Sequence, residues 1–342
     1  MSNQQWKKRP EGSNWGDFGK SDQLGRVNLI GPEQVLKGVN EVREGLTFCL
    51  SLPLDIPGGN ILNPRRSPPK LSPTALGEDM YINFPLSNNQ SELMDVISDD
   101  RVQISMQYST QWDSLAHVGA LFDGNDDGKL ESYYYNGYLA AQDILDLTND
   151  NDQYHDSYAH KLGVATMAVH GMQGRAVLVD LVRVFGKGRT IIGYKELIKA
   201  IDQLKVTVEK GDMLVLRTGF SEALLDMQGK PNLEILENTG AVLDGSDLKL
   251  LEWITESGIS TICADNYAVE NTEQKLNDSC CYKLPLHHHC LFKLGLPLAE
   301  LWYLKDLAEW LESRGRNRFL LTAPPLRLPG AVGSPVTPIA TV

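Results

Sequence analysis

The sequence is poor in cysteine and contains no long apolar or basic run. Its 342 residues include five Cys, an odd number without CxxC spacing, which argues against a disulfide framework or a cysteine zinc site. No window approaches the roughly 18 consecutive apolar residues of a membrane span. The first dozen residues also lack the apolar stretch of a signal peptide. We therefore expect a cytoplasmic protein with reduced thiols and no membrane partner.

Acidic side chains outnumber basic ones. The chain has 44 Asp and Glu against 32 Lys and Arg, so its formal net charge is −12 at pH 7. The longest basic runs are Lys7-Lys8-Arg9 and Arg65-Arg66, which are too short to follow a phosphate backbone. This composition argues against nucleic acid as a partner and favours a small-molecule substrate.

Apolar residues make up 42% of the chain, which is enough to bury a large core. Short apolar runs at 176–179 and 213–216 predict buried strands, and helical patterns at 194–204 and 247–256 alternate with them. This succession predicts an α/β or mixed α+β domain.

The part of the chain before these runs is rich in proline. Six Pro among residues 53–76 exclude a helix interior or a central strand and predict a long extended loop. A plain surface excursion, a lid and an arm that contacts a second copy all fit such a loop. Before it, residues 32–44 predict a helix that begins at proline and has one apolar face, formed by Val35, Leu36, Val39 and Val42.

The most informative segment is 101–117, RVQISMQYSTQWDSLAH. Apolar and polar residues alternate in it, which predicts a strand with one apolar and one unusually polar face. The polar face would carry Gln107, Gln111 and Asp113, and His117 would follow on the next turn. A solvated outer face also fits this pattern, although surface strands usually favour Thr, Lys and Glu.

The segment from Gln107 to His117 resembles the HxGTHxDxPxH signature of the cyclase family of metal-dependent hydrolases, which includes kynurenine formamidase and isatin hydrolase. The resemblance implies an α/β fold: one swivelling β/β/α-type domain over residues 14–342, with a mixed central sheet. Residues 1–13 are then expected to be a flexible N-terminus. Other segments are similar to further family motifs, in the same order: 14–16, 22–25, 171–180, 210–219, 265–270, 286–287, 295–300 and 330–335.

The resemblance also implies a chemistry. Family members open amides, cyclic amides or imides, or lactones by attack of a metal-bound water, and they hold one or two divalent ions, usually zinc or manganese. Carried over to this chain, the metal ligands are Asp113, His287 and Glu300, and the acid/base residue is His117. His170, beside a predicted central strand, is a second catalytic candidate. A homodimer or homotetramer is implied as well.

The chain departs from the signature at two ligand positions, where Gln107 and Gln111 replace histidine. An amide oxygen is a weak, hard ligand, so we expect one half of a two-metal site to be lost and a single ion, zinc or manganese, to be retained. The predicted substrate-binding residues are Gln107, Gln111, Trp112 and Tyr135. Tyr135 belongs to a tyrosine-rich run that would suit a strand or an oligomer contact equally well.

A lyase or ring-forming enzyme is the alternative function. In it Gln107 and Gln111 would hydrogen-bond a carbonyl, and His117 would move a proton without net hydrolysis.

Four other polar residues have a structural interpretation beside a functional one. His288 and His289 follow His287, but neighbouring residues point in different directions, so we expect these two to pack or to face solvent. Asp265 and Glu270 follow a predicted strand, where α/β sheets often bind ligands, or they simply tie a loop.

Overall fold

The computed structural model describes residues 5–145, 158–273 and 281–342. The helices in these ranges are α1 (Pro32–Val39), α2 (Val164–His170), α3 (Leu181–Phe185), α4 (Tyr194–Gln203), α5 (Phe220–Asp226), α6 (Leu233–Glu237), α7 (Leu248–Ser257), α8 (Pro285–His287) and α9 (Lys305–Ser313). A π-helical turn, His288–Lys293, continues α8, and 3₁₀ turns lie at Gly25–Leu29, Leu86–Asn88 and Tyr135–Gly137.

The strands in these ranges fall into a first half and a second half of the chain. The first nine are β1 (Thr47–Cys49), β2 (Lys70–Leu76), β3 (Asp79–Tyr81), β4 (Phe84–Pro85), β5 (Val96–Ile97), β6 (Asp100–Gln103), β7 (Gln111–Asp113), β8 (Ala120–Phe122) and β9 (Glu131–Tyr133). The others are β10 (Gln173–Asp180), β11 (Thr190–Ile192), β12 (Met213–Arg217), β13 (Ala241–Leu243), β14 (Thr261–Ala264), β15 (Leu298–Glu300), β16 (Arg318–Thr322), β17 (Gly333–Pro335) and β18 (Ile339–Thr341).

Within the described ranges, the largest sheet has nine strands in the order β1-β18-β16-β10-β12-β14-β15-β7-β17. The four neighbours β10, β12, β14 and β15 run parallel, and the remaining pairs are antiparallel. All residues of β12 and β14 are buried, as expected for parallel strands covered on both faces. The predicted α/β class with a mixed central sheet is confirmed.

Apolar side chains cover both faces of this sheet. Successive residues of β12 enter different core clusters: Leu214 and Leu216 belong to one, and Met213 and Val215 to the other. This follows from the period of two in a strand, which sends neighbouring side chains to opposite faces. The sheet is therefore an interior layer, and polar groups can reach solvent only at its edges.

The first helix is shorter than predicted and packs by a different face. α1 ends at Val39 instead of residue 44, and Leu36 and Val39 are 64% and 48% exposed. Gly38 faces the sheet instead, and a Cβ there would lie 2.8 Å from the carbonyl carbon of Gly174 in β10. Close approach of two backbones decides the orientation of α1, so the prediction of its apolar buried face was wrong.

The segment predicted as one strand over 101–113 is divided. β6 ends at Gln103, β7 begins at Gln111, and turns occupy most of 104–110. All of β6 is exposed and all of β7 is buried, so the two pieces share no common polar face. The turn brings Gln107 beside His117 instead of placing it along a strand.

The proline-rich region forms a loop only up to residue 69. Lys70–Leu76 is β2, which pairs with β3 and β6 in a three-stranded antiparallel sheet. We call residues 70–103 the arm. Phe84 is its one buried residue, and the structure describes the arm in full.

The beginning of the chain contacts the rest of the domain. Trp15 is fully buried, and its indole Nε1 donates to the carbonyl of Phe292 at 2.7 Å. The backbone N–H groups of Lys7 and Lys8 donate to the carbonyl of Gly124 at 2.7 and 3.0 Å. The flexible terminus over 1–13 stays a prediction, and its first four residues lie outside the described ranges.

No helix in the described ranges is long and apolar enough to cross a membrane. The four cysteines in these ranges form no disulfide, and the reduced state of the thiols stays a prediction. Cys280 lies outside the described residues.

Candidate metal centre

Asp113, His287 and Glu300 meet at one end of the central sheet. One ligand atom from each lies within 4.8 Å of the other two, and all three residues are buried. β7 and β15 are adjacent antiparallel strands, with Gln111 opposite Glu300, so their pairing brings Asp113 and Glu300 to the same place. α8 then supplies His287 from a distant part of the sequence. The structure therefore brings together the three residues predicted as metal ligands.

The Asp113 carboxylate accepts no hydrogen bond from the described residues. It is fully buried, and neither carboxylate oxygen has a hydrogen-bond partner among the described residues. Burial raises the pKa of Asp113 and nearby Glu300 adds to this, whereas His117 and His287 oppose it. An ionised carboxylate in such a place is costly unless it is paired or coordinates a metal. The orphaned oxygens therefore fit a bound cation.

Glu270 holds His287 in place. Its Oε1 accepts from His287 Nδ1 at 2.7 Å and from the backbone N–H of His287 at 2.9 Å, and its Oε2 accepts from the N–H of Leu286 at 2.9 Å. The two N–H groups belong to the first turn of α8, which begins at Pro285 and has no intrahelical acceptor for them. The carboxylate on Nδ1 leaves Nε2 facing Glu300 Oε1 at 3.4 Å. Glu270 thus ties the loop and also orients a ligand.

The charges in this cluster depend on one another. Burial lowers the pKa of His287, but the contacts with Glu270 and Glu300 outweigh it and raise the pKa to about 10. Burial raises the pKa of Glu300, but the contact with His287 outweighs it, so the pKa is lowered. The carboxylates therefore require positive charge between them, which a proton on His287 or a divalent ion supplies.

His117 lies at the accessible side of the cluster. Its Nε2 is 3.7 Å from Asp113 Oδ1, and its side chain is 23% exposed whereas that of Asp113 is fully buried. Its Nδ1 is 3.1 Å from Gln107 Nε2. One ring nitrogen is thus oriented by an amide while the other faces the cluster, which is an arrangement that suits an acid/base group.

The two glutamines at the signature's histidine positions contact their own loop. Gln111 is fully buried, and one end of its amide lies 2.5 Å from the carbonyl oxygen of Gln107 and 3.1 Å from that of Ser109; two acceptors there require the amide nitrogen at this end. The Gln107 amide lies against His117. A role of these two side chains in substrate binding stays a prediction.

Trp112 lies on the other face of β7. It is fully buried, packs edge-on against Trp302 at 5.5 Å between ring centroids, and donates from Nε1 to the carbonyl of Ala323 at 2.8 Å. Because side chains alternate along a strand, Trp112 points away from the side that Asp113 faces. The structure therefore places the predicted substrate-binding Trp112 in the core.

Tyr135 and His170 also lie away from the cluster. Tyr135 is fully buried, and a Cβ on Gly295 would come within 2.7 Å of its ring. His170 ends α2 just before β10, with Nε2 at 3.0 Å from the carbonyl of Ile30. β10 and β15 belong to the same parallel set, so His170 lies at the start of these strands whereas Glu300 ends one of them. The structure does not bring either residue to the predicted ligands.

Arg66 and Tyr267 are residues near the site that sequence reasoning missed. Arg66 Nη1 donates to the carbonyl of Gln107 at 2.6 Å, and its guanidinium carbon lies 5.9 Å from the centre of the Tyr267 ring. The Tyr267 hydroxyl accepts from Asn63 Nδ2 at 3.2 Å, which leaves its own hydrogen for another acceptor. The available signals were weak: an Arg pair in a proline-rich loop, and a Tyr just after a strand end.

The backbone that leads to Glu270 is strained. Ala268 and Val269 have φ angles of +68° and +58°, a region that a β-branched residue rarely adopts. Asn266 stabilises the turn, because its Nδ2 donates to the carbonyls of Ala241 at 2.8 Å and Val269 at 3.3 Å. This turn carries Glu270 from the end of β14 to α8.

Asp265 has a structural role. Its Oδ1 accepts from the N–H and hydroxyl of Thr218, both at 2.6 Å, and its Oδ2 accepts from the N–H of Gly219 at 2.9 Å. All of these contacts tie the loop after β14 to the loop after β12.

Comparison with known proteins identifies the family. The Cyclase family model, described as "Putative cyclase", matches residues 50–271. A crystal structure of a novel cyclase is 30% identical, covers 96% of this chain and 97% of its own, and superposes with a TM-score of 0.75. Among curated protein sequences, none matches this chain significantly.

Two isatin hydrolase structures share the fold at low identity. Isatin hydrolase A from Labrenzia aggregata, bound to benzyl benzoate, is 13% identical with a TM-score of 0.56, and covers 91% of this chain and 98% of its own. An isatin hydrolase bound to the product analogue thioisatinate is also 13% identical, with a TM-score of 0.53 and coverage of 91% and 99%. The family match includes Asp113, His117 and Glu270, and the 30% identical structure extends over nearly the whole chain. This chain belongs to the Cyclase family.

Proposed function

We propose that this protein is a metal-dependent hydrolase that opens an amide, a cyclic amide or imide, or a lactone. The observation that supports this most directly is the Asp113 carboxylate, buried with both oxygens unpartnered among the described residues and grouped with His287 and Glu300. An accessible histidine, His117, lies 3.7 Å from it. A buried cation site next to an accessible acid/base group is the arrangement that hydrolysis needs.

Asp113, His287 and Glu300 would hold one divalent ion, zinc or manganese. Two carboxylates and an imidazole are ordinary donors to both metals, and three protein donors are typical of catalytic sites and not of closed structural ones. The ion would supply Lewis acidity, which polarises a substrate carbonyl and lowers the pKa of water. Glu270 would keep His287 Nε2 directed at the ion through the 2.7 Å bond to Nδ1.

His117 would carry the proton in this reaction. Its Nε2 would take a proton from the attacking water and then deliver it to the leaving nitrogen or oxygen. For this the Gln107 amide would turn its oxygen toward Nδ1, so that Nδ1–H donates to it and Nε2 is free to accept the proton. The side chain's partial exposure lets substrate reach Nε2 while Asp113 stays shielded.

A lyase or ring-forming enzyme is the second candidate, and the contact between Gln107 Nε2 and His117 Nδ1 favours it. An amide nitrogen is a donor, so Nδ1 accepts and the ring hydrogen of a neutral imidazole lies on Nε2. An imidazole in that state donates a hydrogen bond from Nε2, which would stabilise negative charge on a substrate oxygen without taking a proton from water. Family membership is compatible with this chemistry as well.

Labelled water separates the two candidates. The metal-loaded protein is incubated separately with a formamide, a cyclic imide and a lactone in water enriched in oxygen-18. The masses of the products are measured by mass spectrometry. Hydrolysis places one labelled oxygen in each carboxylate that is formed, whereas full turnover with unlabelled product supports the lyase. Elemental analysis of protein purified without added metal should find about one divalent ion per chain. Hydrolysis that persists after complete removal of metal would contradict the proposal.

A further inference from the structure

Arg66 is a cation that faces an acidic site without an acidic partner. Among the described residues, no ion pair includes its guanidinium, although the protein as a whole carries a charge of −12. The group is half-buried and uses one N–H, from Nη1, on the carbonyl of Gln107. A guanidinium has five N–H donors, so most of its hydrogen-bonding capacity is available to a ligand.

A series of contacts connects Arg66 with the reacting groups. Gln107, whose carbonyl accepts from Arg66 at 2.6 Å, places its amide 3.1 Å from His117 Nδ1, and His117 Nε2 is 3.7 Å from Asp113. The charge of Arg66 acts to lower the pKa of both Asp113 and Glu300, against the effect of burial on each. Arg66 therefore lies one residue, Gln107, away from the acid/base residue, and it is close enough to Asp113 and Glu300 for its charge to act on both.

Resting on the proposed function, we propose that Arg66 binds a carboxylate of the substrate and so determines specificity. The substrate class is then an amide, cyclic amide or lactone that carries a carboxylate near the bond to be opened. The planar guanidinium matches a carboxylate in two parallel hydrogen bonds, and partial burial strengthens them. The negative charge of the whole chain repels anions at long range, so an anionic substrate needs a local cation of this kind.

The matched control is the neighbouring Arg65. It is exposed, and its Nε and its backbone N–H both lie against Asn63 Oδ1, at 3.4 and 3.1 Å. Arg65→Gln removes the same charge from the same loop without touching the carbonyl of Gln107. Arg66→Gln removes the proposed anion contact, and Arg66→Lys keeps the charge but loses the planar fork.

The first measurement is binding to manganese-loaded protein by calorimetry, with benzoate as the anionic probe and benzamide as its neutral counterpart. We expect Arg66→Gln to weaken benzoate binding by about tenfold or more and to leave benzamide nearly unchanged. Arg66→Lys should retain part of the benzoate affinity, and Arg65→Gln all of it. Equal benzoate affinity in the parent and Arg66→Gln would overturn the proposal.

The second measurement compares kcat/KM for N-formylanthranilate and N-formylaniline, which differ only by the carboxylate. Arg66→Gln should lower the first by about tenfold or more and leave the second nearly unchanged. Equal losses on both would overturn the proposal, because Arg66 would then only position Gln107. If no variant hydrolyses either compound but benzoate binding still depends on Arg66, the proposed hydrolase fails and the anion site stands.

Discussion

At the scale of single residues, Asp113 is the residue that most needs a bound cation. Asp113→Asn keeps the size of the side chain and removes the buried charge. We expect Mn²⁺ affinity to fall by more than the roughly 10–100-fold that residues behind the ligands cost. The metal-free variant should also melt at a higher temperature than the metal-free parent, because an uncompensated buried charge is gone. Calorimetry with Mn²⁺ and thermal melting in chelator test both; unchanged Mn²⁺ affinity would contradict the metal assignment.

Glu270 acts through His287, so its loss should weaken metal binding without removing a ligand. Glu270→Gln cannot accept from Nδ1–H and two backbone N–H groups as a carboxylate does. We expect Mn²⁺ affinity to fall about 10–100-fold. Glu273→Gln, at an exposed position nearby, is the control and should bind as the parent does. If Glu270→Gln binds Mn²⁺ as tightly as the parent does, Glu270 only holds the loop and does not orient His287.

Two buried neutral histidines should make the fold sensitive to acid. Burial, with the charge of Lys293, lowers the pKa of His288 to about 3 and of His289 to about 4. Both titrate near 6.5 when unfolded, so below that pH the unfolded chain binds more protons. Their contribution to stability is therefore complete above about pH 6.5 and is lost as the pH falls toward 4.

His288→Phe tests this pH dependence and keeps an aromatic ring stacked on Tyr282. In the parent, the ring centroids of His288 and Tyr282 are 3.6 Å apart. Below pH 6.5, the free energy of unfolding should fall less steeply with acid in the variant than in the parent. The two slopes should differ by up to about 1.4 kcal/mol per pH unit. Urea unfolding at several pH values between about 7 and 5 measures the two slopes. Parallel slopes would mean that His288 is not held neutral in the folded protein.

At the scale of secondary-structure elements, β17 determines where Gln107 lies. A Cβ at Gly333 would overlap the end of the Gln107 side chain, which is flexible enough to move away. Gly333→Ala should therefore displace the Gln107 amide from His117, with a small change in melting temperature and a loss in kcat of about tenfold or more. In a Gln107→Ala background the same substitution should cost little more, because the two changes act on one contact.

Among the sequence patterns, apolar runs predicted the strands reliably. The runs at 176–179 and 213–216 lie within β10 and β12, because parallel strands buried on both faces are apolar throughout. The alternation at 101–113 was misleading, since an exposed strand, a turn and a buried strand follow one another there. Alternation reports burial only when a single face of one strand is covered, and that depends on tertiary contacts.

At the scale of the whole molecule, the arm of residues 70–103 leaves apolar side chains uncovered. Leu71 and Val102 are cross-strand neighbours in β2 and β6, and they are 68% and 53% exposed. A short sheet with exposed apolar residues and open edges invites pairing with another chain. We therefore expect a homodimer or homotetramer that buries the arm.

Replacing Leu71 and Val102 together by Lys should dissociate this assembly. Light scattering coupled to gel filtration should find the parent as an oligomer and the double variant as a monomer. Leu248→Lys is the control, because Leu248 is 78% exposed on α7, outside the arm, and should leave the mass unchanged. A parent chain that is monomeric at micromolar concentration would contradict the expectation.

The sequence by itself determined the α/β class, because apolar runs are local properties of the chain, and its resemblance to the family implied that Asp113, His287 and Glu300 meet, which the structure shows. Only the tertiary structure decided that Trp112 points into the core, and that Arg66 contacts Gln107, the neighbour of the acid/base residue. The reason is physical: a strand's pairing selects which face is buried, and a loop's position follows from contacts with distant residues that no local pattern records.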